Sequence, residues 1–141
     1  SHPWHHEDMM KFFDAELKRH SSEYSDAIFV FGSNLAGRHG AGAALYAQDI
    51  YEAQYGVGQG RTGQAYAIPT KDENIHTLPL DRITGYVSDF LKYATEHPEE
   101  VFFVTRIGCG LAGYKNEQIA PMFRGAPENC IFDILWKEFL T

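Results

Sequence analysis

Ile28-Phe29-Val30-Phe31 runs directly into Gly32-Ser33-Asn34-Leu35-Ala36-Gly37-Arg38-His39-Gly40-Ala41-Gly42-Ala43-Ala44. Four apolar residues that favour extended backbone give way to a loop with four glycines, and the loop to an alanine-rich segment that reads as helix. Strand, glycine loop and helix in that order leave unpaired N–H groups at the helix N-terminus, where an anion is favoured. Glycine lets the backbone come close to a ligand and take φ > 0 without steric cost. The stretch therefore predicts a loop that holds a phosphate. Glycine loops also make plain turns, which is the competing reading.

A second copy of the same grammar favours the phosphate reading. Val101-Phe102-Phe103-Val104-Thr105 is a continuous apolar run, as expected of a strand buried on both faces. It leads into Arg106-Ile107-Gly108-Cys109-Gly110-Leu111-Ala112-Gly113-Tyr114. In open α/β sheets ligands sit outside the carboxyl ends of the strands, so a parallel sheet brings both loops to one edge. Two adjoining anion cradles suit a diphosphate, or a phosphate joined to a sugar.

Outward from these stretches, strands alternate with helices. A helix is predicted over Ala43 to Tyr55, with Ala44, Ala47 and Tyr51 at helical spacing. Gly56 to Gly63 reads as an exposed loop, and Ala65 to Ile68 as a short strand stopped by Pro69. Leu80 to Glu96 is the clearest helix: Leu80, Ile83, Val87, Phe90, Leu91 and Ala94 share a face, Asp81 is placed to cap it and Pro98 follows. A short helix is expected around Glu117 to Phe123, a strand at Asn129 to Phe132 and a closing helix at Ile134 to Leu140. The pattern is α/β, with a mostly parallel sheet and helices on both faces.

Before the first strand, Asp8 to Arg19 carries Met9, Phe12, Phe13 and Leu17 in a helical stripe, and Ser21 to Asp26 breaks it. Ser1 to His6 reads as a tail, with His2, His5 and His6 more readily a tag remnant than a metal site. Residues 1–25 are thus expected to be a tail and a helix packing on a single nucleotide-binding domain, 26–141.

Composition narrows the partners. With 141 residues, 44% apolar and 22% charged, the chain is long enough to bury a core. Its formal charge of −7 is the wrong sign for long-range attraction to nucleic acid. An anion must then be held by local dipoles and a few placed cations, which favours a small nucleotide in a pocket. No apolar run reaches membrane-spanning length and no signal-peptide pattern opens the sequence, so neither a membrane nor export is expected and the cytoplasm is the natural compartment. Cys109 and Cys130 are too few and too poorly spaced for a disulfide framework or a zinc site. No metal and no cofactor is expected.

The motifs resemble those of macro domains, three-layer α/β/α modules that bind ADP-ribose and related NAD-derived nucleotides, some of them hydrolysing these. Ser33-Asn34-Leu35 ahead of Gly40-Ala41-Gly42 is similar to their first ligand loop. Arg106 to Tyr114, with its closing Gly-Tyr, is similar to their pyrophosphate-holding loop, and Tyr66-Ala67-Ile68-Pro69-Thr70-Lys71 to their middle strand. The resemblance spans roughly Asp26 to Phe132. It is narrower still with uncharacterised bacterial and phage proteins carrying Phe-Gly-Ser-Asn-Leu-Ala-Gly, Ile-Pro-Thr-Lys-Asp and Thr-Arg-Ile-Gly-Cys-Gly-Leu-Ala-Gly. The family's adenine-contacting acidic residue follows an early strand; Asp26 precedes it here, so the resemblance assigns no such contact.

Candidate site residues follow from both readings. Asn34 is the position most like the family's ribose-contacting asparagine, and its amide both donates and accepts; it also suits a turn. His39, flanked by glycine, is a candidate acid or base near neutral pH, or else a surface histidine. Asp72 is a candidate for positioning a water, with Lys71 beside it supplying charge. Arg38 and Arg106 are the natural phosphate partners, since guanidinium makes paired bonds to oxyanions. Cys109 reads as small filler more readily than as an activated thiol. Tyr114 is placed to stack on a ring or to cover the core. The expected catalytic set is Asn34, His39 and Asp72. The expected ligand contacts are Gly32, Ser33, Asn34, Leu35, Arg38, Gly40 and Gly42, then Thr70 and Lys71. Arg106, Gly108, Cys109, Gly110, Leu111, Ala112, Gly113 and Tyr114 complete the set from the second loop.

Overall fold

Alternation along the strands sorts their side chains onto two faces. The computed structural model describes residues 11–13 and 26–141. Its strands are β1 (Lys11–Phe13), β2 (Ile28–Asn34), β3 (Gly60–Thr62), β4 (Ala65–Lys71), β5 (Phe102–Val104) and β6 (Cys130–Asp133). They form one sheet in the order β1-β6-β5-β2-β4-β3, parallel except for the β3–β4 pair. Ile28 and Val30 of β2 face the larger core, together with Tyr66, Ile68, Phe102, Val104 and Phe132. Phe29 and Phe31 face the other side with Ala65 and Ala67.

Each face has its own cover. Helix α1 (Gly42–Tyr51) lies over Phe29, whose ring stacks on Tyr51 at 4.6 Å, and the fully buried Ala47 lets the helix sit close. The larger core lies beneath α2 (Leu80–Glu96), whose Ile83, Val87, Phe90 and Ala94 are buried. Helix α3 (Asn116–Ile119) runs on into a 3₁₀ turn at Ala120–Phe123, and α4 (Lys137–Leu140) follows a 3₁₀ turn at Ile134–Trp136. These short helices close the same side with Phe123 and Trp136. The result is the expected three-layer arrangement. Among the described residues no helix is long and apolar enough to cross a membrane.

Several local expectations differ from what is observed. The helix over Asp8 to Arg19 is not found where it can be checked. Lys11–Phe13 is a strand parallel to β6, with Phe12 against the larger core and Phe13 stacked on Phe103 at 5.0 Å. Pairing with β6 satisfies the backbone groups on one side of it, a non-local gain that a helical stripe does not reveal. The remainder of that segment, the break from Ser21 and the tail Ser1 to His6 lie outside the described residues.

Gly60–Thr62, read as loop, pairs antiparallel with β4 across the two-residue turn Gly63-Gln64. Helix α1 stops at Tyr51 because Glu52 turns left-handed, at φ 64°, and the Gln64 N–H takes the Tyr51 carbonyl. Strand β4 runs through Pro69 to Lys71 rather than stopping before the proline. Beyond Ala67 it has lost its β3 neighbour, and proline is tolerated where a strand has a free side. Asp81 does not cap α2; the N-cap is Pro79, and Asp81 accepts the adjacent Arg82 N–H.

Candidate functional site

Strand β2 has β5 on one side and β4 on the other, while the chain visits them in the order β2, β4, β5. The connection leaving β2 runs toward β4 and the one leaving β5 runs toward β6, on opposite sides of the β2–β5 pair. That opens a crevice at the carboxyl edge, the position where α/β sheets hold ligands. Three segments meet there: the loop from β2 into α1, the turn after β4 and the loop after β5. They enclose a cleft of about 400 Å³.

Both glycine loops reach this cleft. A Cβ built on Gly32 would lie 3.5 Å from the Gly108 amide nitrogen, and one on Gly42 would lie 3.8 Å from Leu111 Cδ1. Helix α1 begins with no side-chain cap on its N-cap residue Ala41 and no acidic residue in its first turn. The N–H groups of Gly42, Ala43 and Ala44 have no backbone acceptor among the described residues, the first taken bond being Leu45 N–H to the Ala41 carbonyl. In the second loop the amides of Ile107, Cys109, Gly113 and Tyr114 are consumed internally, whereas those of Gly108, Gly110, Leu111 and Ala112 are not. Among the described residues, these unspent amides all belong to residues lining one cleft. Arg38, Lys71 and Arg106 line it too, and among the described residues no carboxylate or histidine does. In a chain of net charge −7 this is a local positive field.

Two of the cations are delivered by the ends of strands, and Arg38 by the loop between β2 and α1. Lys71 closes β4. Arg106 follows β5, where Thr105 ties that strand's end to β2 by donating its hydroxyl to the Val30 carbonyl at 2.7 Å. The Arg106 guanidinium lies between Asp133, Nε to Oδ2 at 3.8 Å, and Asn116, to whose Oδ1 it donates at 3.3 Å. The same Asn116 oxygen accepts the buried Trp136 indole N–H at 3.0 Å.

No protein-family model and no curated protein sequence matches the chain. Among solved structures it is similar to the macrodomain of Mycobacterium tuberculosis DarG, with TM-score 0.58 and 16% identity over 88% of this chain and 97% of that one. The chain has a macrodomain-like fold. It is similar also to Thermosipho africanus DarTG in complex with ADP-ribose, at TM-score 0.55 and 16% identity over 79% of this chain and 39% of that one. A protein of unknown function from Bacteroides thetaiotaomicron is similar at TM-score 0.53 and 15% identity, covering 87% and 95% of the two chains.

Within this macrodomain-like frame, the cleft is lined by Gly32, Ser33, Asn34, Arg38, Gly40 and Gly42 of the first loop and by Thr70 and Lys71. From the second loop it takes Arg106, Gly108, Gly110, Leu111 and Ala112. The polar side chains deepest in it are largely occupied. Asn34, 7% exposed, clasps the Arg38 backbone, donating Nδ2–H to the Arg38 carbonyl at 2.9 Å and accepting the Arg38 N–H at 3.0 Å. One donor hydrogen and one lone pair remain to its amide. The Ser33 hydroxyl donates to the Gly58 carbonyl, and the Thr70 hydroxyl to that of Ser33 at 3.3 Å.

Six sequence-stretch candidates stand elsewhere. His39 does not line the cleft; it is 2% exposed, edge-on to Phe31 at 5.3 Å and to Tyr55 at 6.2 Å. Neither ring nitrogen makes a well-formed hydrogen bond. Burial holds its pKa below the usual histidine value, outweighing the nearby Val57 backbone and Gln48 side chain, which favour the proton. Glycine on both sides of a residue says nothing of which way it turns, and here a ring pocket beneath α1 takes it.

Asp72 is likewise off the cleft. Its Oδ1 accepts the N–H groups of His76 and Asn74, both at 2.9 Å, and these bonds hold its pKa below the ordinary carboxylate value. It builds a turn. Leu35 packs partly on the larger core and gives its N–H to the Lys71 carbonyl. Tyr114 covers the core and donates its hydroxyl to the Leu78 carbonyl at 2.6 Å. Gly113 closes the second loop on the Gly110 carbonyl. Cys109 is half-buried, and desolvation pushes its thiol pKa up despite the opposing pull of Arg106 and Trp136, which is not the environment of a nucleophile.

The cleft also takes residues that the motifs did not single out: Ala41, Ala43, Ala44, Ile75, Thr105 and Ile107. The alanines were discoverable as the first turn of a helix after a glycine loop. Ile75 carries no signal in the sequence.

Proposed function

We propose that this chain binds ADP-ribose or a related NAD-derived nucleotide in the cleft, with the diphosphate on the two glycine loops. The observation that carries the reading is the set of unspent amides shared between α1's N-terminus and the β5 loop, beside three cations. Backbone donors fixed in place bind an oxyanion without reorganisation, and guanidinium adds paired bonds. The ADP-ribose complex of a structural neighbour supports the choice of ligand. Calorimetric titration with ADP-ribose, AMP and ribose 5-phosphate tests it. The expected order has ADP-ribose tightest, since only it spans both loops; no heat and no thermal shift with any of the three would end the proposal.

Recognition is favoured over hydrolysis by the cleft's lining, which among the described residues contains no carboxylate or histidine to act as acid or base. Turnover would draw its proton transfers from Lys71 or a bound water. Incubation with ADP-ribosylated protein, read by mass spectrometry, separates the two: release of ADP-ribose that is lost in Lys71→Ala would establish hydrolysis, and its absence a binding module.

A further inference from the structure

The chain after β4 turns back on itself through Glu73-Asn74-Ile75. The Asp72 N–H bonds to the His76 carbonyl at 2.8 Å, the Ile75 N–H to the Asp72 carbonyl at 3.1 Å, and Lys71 bridges Thr77. This is a hairpin with a three-residue loop, whose last position takes left-handed backbone and usually holds glycine. Here that position is Ile75, at φ +67°. A β-branched residue there is strained, and such strain persists only where the surroundings over-determine it. The Asp72 carboxylate does so by gripping the N–H groups on either side, those of Asn74 and His76. Asn74, a residue that tolerates this conformation, stands one place too early to relieve it.

The isoleucine side chain is not consumed by the fold. It is 43% exposed and lines the cleft. The Thr77 hydroxyl donates to the Ala112 carbonyl at 3.1 Å and so anchors the hairpin to the second glycine loop, beside Leu111, which is 72% exposed. Two uncovered apolar side chains therefore stand over a cleft whose other side chains include three cations.

We propose that Ile75 is a specificity-determining contact: with Leu111 it closes on an apolar ring face of the ligand, a sugar or a base, while the amides and cations hold the phosphates. This rests on the nucleotide reading above and adds the residue that separates a nucleotide from a bare diphosphate. Strained backbone and an exposed side chain are then two sides of one requirement, the placing of an apolar group where a glycine would leave none.

The test compares Ile75→Gly and Ile75→Asn with the unaltered protein, measuring melting temperature without ligand and affinity for ADP-ribose and for inorganic pyrophosphate. Both substitutions suit left-handed backbone, so melting temperature should hold or rise. ADP-ribose affinity should fall about tenfold, as expected for losing most of one apolar side chain's burial, while pyrophosphate affinity stays constant. Unchanged ADP-ribose affinity in both variants, or a lowered melting temperature in Ile75→Gly, would overturn the inference and leave nucleotide binding standing. Equal losses for both ligands would make Ile75 a scaffold residue. Failure of the unaltered protein to bind ADP-ribose would remove the nucleotide reading and this inference with it.

Discussion

Gly32 on β2 and Gly108 in the loop after β5 lie so close that a Cβ on the first would stand 3.5 Å from the amide nitrogen of the second. This contact brings the two glycine loops into one site. The glycines themselves differ: some take left-handed backbone that other residues rarely adopt, and others have open space where a Cβ would stand.

Gly42 and Gly108 have φ of +57° and +75°, and a Cβ on Gly108 would press on Ile119 at 3.2 Å. Gly40 and Gly110 have nothing within 4 Å of a Cβ and no left-handed backbone. Gly42→Val and Gly108→Val should therefore destabilise the unliganded protein, by at least about 1–2 kcal/mol from backbone strain alone. Gly40→Val and Gly110→Val should leave its melting temperature nearly unchanged and weaken ADP-ribose binding. Thermal melts paired with titration would show it; unchanged affinity in both of the latter would mean that the ligand lies elsewhere.

Arg106→Ala should weaken ADP-ribose binding by about 1.5–3 kcal/mol, the usual worth of hydrogen bonds to a charged group, or roughly ten- to a hundredfold. Arg106→Lys should recover only part, since an ammonium lacks the paired donors. Asp133→Asn, which removes the carboxylate beside the guanidinium, should give a smaller loss. Calorimetry on the three variants checks the ranking, and wild-type affinity in Arg106→Ala would place the phosphates away from β5.

Stability should fall on the acid side partly through His39. Its folded pKa is lowered by burial, so between the ordinary value and that lower one the unfolded chain binds a proton that the folded chain refuses. Stability is then fully present above about pH 6.5 and is lost as pH drops towards the folded pKa. His39→Leu should flatten that part of a melting-temperature profile between pH 5 and 7 and leave ADP-ribose affinity intact. A large loss of binding would return His39 to the site.

Phe90 of α2 is fully buried, with the rings of Tyr66, Phe102 and Phe123 at 5.0, 5.4 and 6.3 Å. Phe90→Ala should cost about 3–5 kcal/mol by lost transfer and a residual cavity. Urea denaturation measures it, and a loss below about 1 kcal/mol would mean that the core refills.

Features set by neighbouring residues were legible before any coordinates. The bounds of α2 follow from its stripe of Ile83, Val87, Phe90 and Ala94 and the proline beyond its end. The buried run of β5 and the passage from β2 through glycine into α1 are equally local, and they were enough to point to the α/β class and to a carboxyl-edge site. Lys11–Phe13, Gly60–Thr62 and the passage of β4 through Pro69 were misread because each depends on which strand lies alongside, a fact absent from the residues themselves.

Which segments are apolar, where the chain must bend and which loops are rich in spare amides can be read from the residues alone, since these depend on side chains and backbone freedom within a few positions. What each polar candidate does depends on how distant segments pack around it. His39 is turned under α1, Asp72 is spent on two backbone amides, and Ile75, silent in the sequence, is carried to the cleft by a strained hairpin. The physical reason is that a side chain's role depends on the direction in which it is held and the partners already bonded to it, and both are settled by chain segments distant in sequence.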